Sequence, residues 1–424
     1  MTLRLGPLDR LSLAPLSVRS FRFQWPADLL TSWAAEMETL ILGWYVMTHT
    51  GSVLLLTAFG SLQFLGTLAG PVFGVLGDRL GARAILCAMR GAYALCATGV
   101  TALALADRLS TAAVLALASI MGMLRPNDLV LRNSLIGDTI PRRHLMAALG
   151  MSRATQDSAR IAGALVGAGL SSLLGIGRAY VVVAVCYAGG LALTLGVASG
   201  RPVPDPGDPR SSSSGAQPVG AVRASGWREL LDGLLYVWTT PSVLAAMWLA
   251  FLVNLTAYPV TNGLLPYVAK HVYRVGANGL GSLVAGFSLG SLIGSIAMIV
   301  TGGARRPERS TIVNVAIWYA LLLAFAVVRT ADVGVVVLIA AGVAQSVAMI
   351  SMSATLLHVA GDRFRARVMG VRTLAVYGLP VGLMVSGALI DRIGFAATSA
   401  LYTVTGLACT LVIGVRWRAH VWRA

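Results

Sequence analysis

Long apolar runs alternate with short polar segments along almost the whole chain. Each run is about as long as a helix needs to be to cross a bilayer, roughly 20 residues. Twelve can be placed, at about 25–48, 52–74, 84–105, 111–136, 146–174, 177–199, 241–263, 277–301, 310–329, 332–356, 368–390 and 394–415. Short stretches alternating apolar with polar, as in a membrane β-barrel, are absent from this reading. The pattern predicts an all-α membrane protein with twelve transmembrane helices. It breaks once, at 200–226, where Pro, Ser, Gly and Arg dominate and Ser211-Ser212-Ser213-Ser214 occurs. Such a segment has no apolar face to bury and reads as a flexible linker. Trp227 to Trp238 follows with an apolar and a polar face, as expected of a helix lying on the membrane surface. The predicted plan is an N-terminal segment 1–24, a six-helix half 25–199, a linker with an amphipathic helix 200–240, a second half 241–415 and a tail 416–424.

The halves repeat. A shift of 220 residues pairs Gly66, Gly70 and Gly74 with Gly286, Gly290 and Gly294, and also Arg143 with Arg363, Gly150 with Gly370 and Gly167 with Gly387. Six spans in each half give both the same orientation, a parallel repeat about an axis along the membrane normal. Small residues four apart let helices approach closely in lipid. They mark span 2 (Gly66, Gly70), span 5 (Gly163, Gly167), span 8 (Gly286, Gly290, Gly294) and span 11 (Gly378, Gly382). These glycines are expected to form the seam on which the halves rock, with ordinary helix packing as the competing reading.

Composition agrees. The chain is 56% hydrophobic and 12% charged, with a mean hydropathy of +0.76; a soluble domain carries about a quarter charged residues. The net charge of +16 would suit nucleic acid, but its distribution argues otherwise. Of 33 basic residues, 21 fall on the side shared with the N-terminus and six in the opposite loops. This is the positive-inside bias. It implies two cytoplasmic termini, contact with anionic lipid and no nucleic-acid partner. Cys87, Cys96, Cys186 and Cys409 fall inside spans and read as packing residues. The first 23 residues lack the apolar core of a cleavable signal, so the first span is expected to stay in the protein. No phosphate-binding Gly-x-x-x-x-Gly-Lys-Ser/Thr loop occurs, which argues against ATP as the energy source. No metal cluster, cofactor or intramembrane nucleophile–base pair is expected.

Between spans 2 and 3 lies Gly74-Val75-Leu76-Gly77-Asp78-Arg79-Leu80-Gly81-Ala82-Arg83. It resembles the signature loop of the major facilitator superfamily, Gly-x-x-x-Asp-Arg-x-Gly followed by two basic residues. Gly74, Asp78, Arg79, Gly81 and Arg83 match, and Ala82 departs. Met47-Thr48-His49-Thr50-Gly51-Ser52, Met89-Arg90-Gly91, the run Pro141 to Ala148, and Arg365-Ala366-Arg367-Val368-Met369 resemble the branch with the enterobactin exporter and macrolide-efflux pumps. The resemblance implies that spans 1, 4, 7 and 10 line a central cavity and that 2, 5, 8 and 11 form the interface between halves. Span 5 keeps two glycines of an exporter motif, Gly163 and Gly167, without its proline, which favours export. Asp78 sits in a turn where a carboxylate can bind a helix N-terminus. Arg132 and Asp138, at the same end of span 4, are expected to complete a cytoplasmic gate with it.

Ionisable residues inside a span are costly and face a cavity or a partner. The acids read as internal are Glu36, Glu38, Asp128 and Asp157, all in the first half. Glu36 and Glu38 point about 200° apart on a helix. Ser32, Glu36, Thr39 and Gly43 form one stripe, which favours Glu36 as the cavity acid. Arg125, Asp128 and Arg132 share a face of span 4. Arg125 is expected to meet Glu36 and tune its proton affinity. Glu38 and Asp128 are the next coupling candidates, and a static salt bridge is the plainer alternative. Asp157 is expected to pair with Arg153 or Arg160. The resulting reading is a monomeric, proton-coupled exporter of small amphipathic or hydrophobic molecules in a bacterial inner membrane. An exporter of one anionic metabolite such as a siderophore is the nearest rival. A lipid flippase or a non-transporting receptor is the rival of another class.

Overall fold

Span 1 is one helix, Arg19–Thr50, that starts earlier than hydropathy suggests because Arg19 and Arg22 dilute its first turn. Gly51, in the left-handed region (φ 65°), donates its N–H to Met47 O and ends it. Ser52 caps span 2 and Ser110 caps span 4, each accepting a backbone N–H from three residues on. The computed structural model describes residues 14–69, 73, 76, 80–197 and 235–418. The linker, most of the surface helix, Gly70, Gly74, Asp78 and Arg79 fall outside them.

Among the described residues, helical segments correspond to each of the twelve predicted spans, and no strand occurs. Span 3 is Ala82–Leu105, span 4 Thr111–Thr139, span 8 Ala277–Val300, span 9 Pro307–Val327 and span 12 Phe395–Arg416. Spans 5 and 6 share the helical stretch Arg142–Leu195, which turns at Gly175 with φ 75° and ψ 167°, a conformation open to glycine alone. Span 10 and the start of span 11 lie within Ala331–Ala375, and span 11 resumes at Gly378–Ile393. Two further spans are broken. Span 2 runs Val53–Leu62 and continues as a tighter 3-10 turn, Leu65–Ala69. Span 7 is Pro241–Thr256 followed by the short pieces Tyr258–Asn262 and Leu265–Tyr267, each opened by a proline that has no N–H to give the preceding turn.

Each half has its own core. One cluster gathers Met37, Ile41, Leu86, Tyr93, Tyr180 and their neighbours from the first half, and another gathers Val253, Trp318, Tyr319, Leu338 and Met352 from the second. Leu40, Val53, Ala164 and Ala168 of the first half pack with the second cluster. Large apolar side chains such as Leu95, Leu173 and Val300 lie open on the outside. That is the expected exterior of a body solvated by lipid.

The helices of the predicted seam do meet across the halves, but the described glycines assigned to it make their closest approaches elsewhere. Gly66 lies against Met123 of span 4, and Gly163 and Gly167 lie against Glu36 and Met37 of span 1. Gly286, Gly290 and Gly294 lie against Val335, Ile339 and Val343 of span 10, and Gly378 and Gly382 against Phe251 and Leu255 of span 7. Every one of these contacts is inside a half. The halves meet through other small residues: Gly281 on Ala164 and Ala168, and Gly387 on Thr57. Ser61 Oγ donates to Pro380 O at 3.0 Å, and Ser172 Oγ to Asn278 Oδ1 at 3.0 Å. Glycine marks a close approach without naming the neighbour, and the closest approaches here belong to permanent helix pairs.

The two kinds of glycine separate in a test. A Cβ on Gly290 would stand 1.9 Å from the Ile339 carbonyl oxygen, inside one half. Gly290→Leu is expected to abolish folded protein on size-exclusion chromatography. A Cβ on Gly281 would stand 2.5 Å from Ala168 Cβ, across the halves. Gly281→Leu is expected to fold and to wedge the seam open, read as increased labelling of a cysteine at Asn278. Equal loss of folded protein in both variants would remove the distinction.

Candidate functional site

Among the described residues, the hydrogen bonds and close approaches between halves lie toward one end of the molecule. They involve the end of span 1, span 2 against span 11, span 5 against the start of span 8, and Lys270 beyond span 7. Toward the other end, where span 1 begins, the described residues of the two halves line a cavity between them. Its inner part has a volume of ≈ 330 Å³ and reaches Gly43, Phe59 and Pro266. A lobe of ≈ 450 Å³ continues from it along spans 7, 10 and 11, sharing Phe64, Arg160 and Asn262 with the inner part. The breaks in spans 2, 7 and 11 line this space at Phe64, Asn262 and Val376. Interrupted helices at cavity depth are tolerated where backbone is not exposed to lipid.

The polar stripe of span 1 faces the cavity: Glu36, Thr39 and Gly43 line its inner part, and Ser32 a side lobe. The Glu36 side chain is 37% exposed, and Arg160 Nε of span 5 stands 3.9 Å from its Oε1. Gly163 on span 5 makes room for this approach, because a Cβ there would meet Glu36 Cβ at 2.7 Å.

Arg125 meets Glu38, not Glu36 as expected from depth alone. Glu38 is buried with a 3% exposed side chain and forms an ion pair with Arg125. Tyr180 Oη donates to Glu38 Oε1 at 2.8 Å and Tyr187 Oη to Oε2 at 2.5 Å. Arg125 also donates to Thr39 Oγ1 at 3.0 Å and to Tyr187 Oη at 2.9 Å. Two positions along a helix reverse the facing direction, so Glu38 turns into the bundle toward spans 4 and 6 while Glu36 looks into the cavity. The arginine is long enough to reach past the stripe.

Arg132 belongs to a second buried cluster. It pairs with Asp128, lies 3.6 Å from Asp28 Oδ1, and donates to Ser32 Oγ at 2.8 Å. Asp28 also pairs with Arg90, whose side chain is 1% exposed and which donates to Thr194 Oγ1. The guanidinium expected to serve the gate is thus already satisfied by acids of spans 1 and 4. Of the remaining gate residues, Gly81 precedes span 3 at φ 85° and Arg83 Nη2 donates to Leu195 O at 2.6 Å. Asp138 belongs to span 4 by its backbone, and its side chain lies outside the described residues along with Gly74, Asp78 and Arg79. Asp157 pairs with Arg153 at 3.6 Å.

Four of these partners carry no sequence expectation, Asp28, Arg372, Tyr180 and Tyr187, while Arg160 is expected only beside Asp157 and Arg90 only as part of a family-like motif. The available signal was charge balance. Spans 3, 4, 5 and 11 carry arginines, and each needs an acid or a cavity. In the second half the polar groups at the cavity are neutral apart from Arg372, which donates to Ser353 Oγ at 2.7 Å. Gln345 donates to Tyr258 Oη at 2.8 Å. No group of acids, cysteines and histidines suited to a metal occurs among the described residues.

At the closed end, Lys270 of the second half donates from Nζ to Met47 O at 2.8 Å and to Thr48 O at 3.3 Å. These are last-turn carbonyls of span 1, where the helix dipole is negative and helical partners run out. Parting of the halves at this end would break the contact. Lys270→Met is expected to shift the resting population toward opening here, by about tenfold or more for a charge-assisted bond of about 1.5–3 kcal/mol. Distances between spin labels at residues 50 and 276, measured by electron–electron resonance, check it; an unchanged distribution counts against the latch.

Two six-helix halves closed on each other at one end and parted around a cavity at the other are the architecture of a membrane transporter. The sequence matches the Major Facilitator Superfamily over residues 29–380. The chain belongs to that superfamily. No curated protein matches it. Among solved structures it is similar to a bacterial homologue of the human lysosomal transporter Spinster, described as inward-facing and unoccupied, with 14% identity, 95% of each chain covered and a TM-score of 0.65. It is also similar to the nucleoside transporter NupG (13% identity, 93% of this chain and 98% of that one, TM-score 0.65). A POT family transporter in complex with 5-aminolevulinic acid is a third (11% identity, 94% and 96%, TM-score 0.66). At these identities the likeness concerns the fold.

Proposed function

We propose that this protein is a proton-coupled exporter of small amphipathic molecules that works by alternating access in a bacterial inner membrane, with both termini in the cytoplasm. The charge bias of the loops supports that orientation, and in it the cavity opens to the cytoplasm. The observation that carries the coupling is the contrast between the two carboxylates of span 1. Glu38 is enclosed by one arginine and two tyrosine hydroxyls, so it acts as a brace between spans 1, 4 and 6. Glu36 stands at the cavity wall, its side chain 37% exposed, with Arg160 as a loose partner at 3.9 Å. A group that exchanges protons during a cycle has to reach water and has to be able to leave its partner. Glu36 meets both conditions and Glu38 meets neither. The two glycines of span 5 and the motifs resembling the macrolide-efflux branch support export.

Inverted membrane vesicles offered a chemically diverse solute panel, with and without an imposed pH gradient, test the reading. Accumulation that requires the gradient is the expected result. Accumulation that ignores it, or replacement of solute movement by lipid scrambling, overturns it. The cavity charge favours one form of the rival reading, an anionic substrate, and that is developed next.

A further inference from the structure

The arginines near the cavity differ sharply in how they are compensated. Glu38 neutralises Arg125, and Asp28 and Asp128 together neutralise Arg90 and Arg132. Asp157 stands against Arg153, and Glu36 against Arg160. Arg372 has no carboxylate within 4.0 Å among the described residues; its hydrogen-bond partner is the neutral Ser353 hydroxyl. Arg372 and Arg160 line the same ≈ 450 Å³ lobe, one from each half, and no acid lines that lobe. The rest of its wall includes Asn254, Asn262 and Tyr258 beside Phe64, Met349 and Met369. A guanidinium held at membrane depth without a counter-charge is costly unless water or a ligand supplies one. The charge left over after pairing is a single positive one.

We propose, resting on the transport reading above, that the lobe binds an organic monoanion: its carboxylate or sulfonate sits between Arg372 and Arg160, bridging the halves, and its apolar part lies on Met349, Met369 and Phe64. Thioethers and one aromatic ring adapt to varied apolar shapes, whereas the planar guanidinium is particular about the acid. The site therefore selects strictly for charge and loosely for skeleton. The anion supplies the counter-charge that Arg372 lacks, and because Arg160 belongs to the other half, the same anion links the two bodies that must move together.

Three compounds with one carbon skeleton test this: hydrocinnamate, its primary amide and the matching phenylpropylamine. Each is titrated calorimetrically at up to millimolar concentration into the detergent-solubilised full chain. The carboxylate is expected to bind about tenfold or more tighter than the amide or the amine. Arg372→Gln is expected to erase that preference and Arg372→Lys to restore part of it, which a misfolded variant could not do. Equal binding of amide and acid, preference for the amine, no binding of the acid, or an intact preference in Arg372→Gln each overturn the proposal. A transport assay on the same panel keeps the two readings apart. Gradient-driven movement of a neutral solute without any preference for acids leaves the transport reading standing and removes the anion site. Arg372-dependent binding of the acid without gradient-driven movement of any solute does the reverse.

Discussion

Glu36→Gln is expected to reduce pH-driven transport to background while the protein folds, purifies and melts like the parent. Glu38→Gln is expected to do the opposite first, lowering stability before any question of coupling arises. The two acids are one helical turn's fraction apart, and their surroundings decide the difference. Neutralising Glu36 removes a carboxylate that is 37% exposed and has one partner at 3.9 Å, so little packing or pairing is lost. Neutralising Glu38 leaves Arg125 without its acid inside the bundle and withdraws the shared acceptor of Tyr180 and Tyr187. Breaking a buried pair on one side costs about 3–5 kcal/mol. Thermal denaturation followed by size-exclusion chromatography reads the stability arm. Uptake into proteoliposomes with an imposed pH gradient reads the coupling arm. If Glu36→Gln still drives accumulation and a folded Glu38→Gln does not, the two roles are exchanged; if both remain driven, the coupling acid is elsewhere and Asp128 is next.

Much of this architecture is legible in the chain, and the misplaced parts share one cause. Hydropathy runs place the twelve spans because lipid demands about 20 apolar residues per crossing. The polar break at 200–226 predicts the division into halves but lies outside the described residues, and the repeat of glycines at one offset suggests how they are related. The helices that join the halves also follow, as Ala164 and Ala168 on Gly281 and Thr57 on Gly387 attest. What periodicity cannot supply is the azimuth of each helix toward its neighbours. Gly163 and Gly382 advertise a flat helix face, yet the face can serve the sister helix of the same half as well as the opposite half. The same ambiguity exchanged Glu36 and Glu38 as partners of Arg125. Asp28 and Arg90 escaped notice because one sits where span 1 is expected to begin and the other inside a family-like motif. Read together, they are two opposite charges in adjacent spans, which is a pairing signal.

The largest stability effect outside the coupling site is expected at Asp28. Its carboxylate serves two arginines at once, Arg90 from span 3 and Arg132 from span 4, with side chains 1% and 6% exposed. Asp128 supplies the other negative charge, so two acids balance two bases. Around them Ser32 and Thr194 accept from the guanidinium groups, and Gln24 donates to the Arg132 carbonyl at 3.1 Å. The cluster ties spans 1, 3, 4 and 6 together at the open end of the first half, where the inter-half contacts offer no support. Asp28→Asn leaves one buried positive charge uncompensated and is expected to cost about 3–5 kcal/mol. Joining it to Arg90→Met restores charge balance with a side chain of similar length, and the double variant is expected to regain most of the loss. Such non-additivity is what a direct contact produces, whereas independent sites add within about 0.5 kcal/mol. Melting midpoints of the parent, both single variants and the double variant, compared in one detergent, close the cycle. Additive losses would mean that the cluster is merely buried, and that its charges do not hold the first half together.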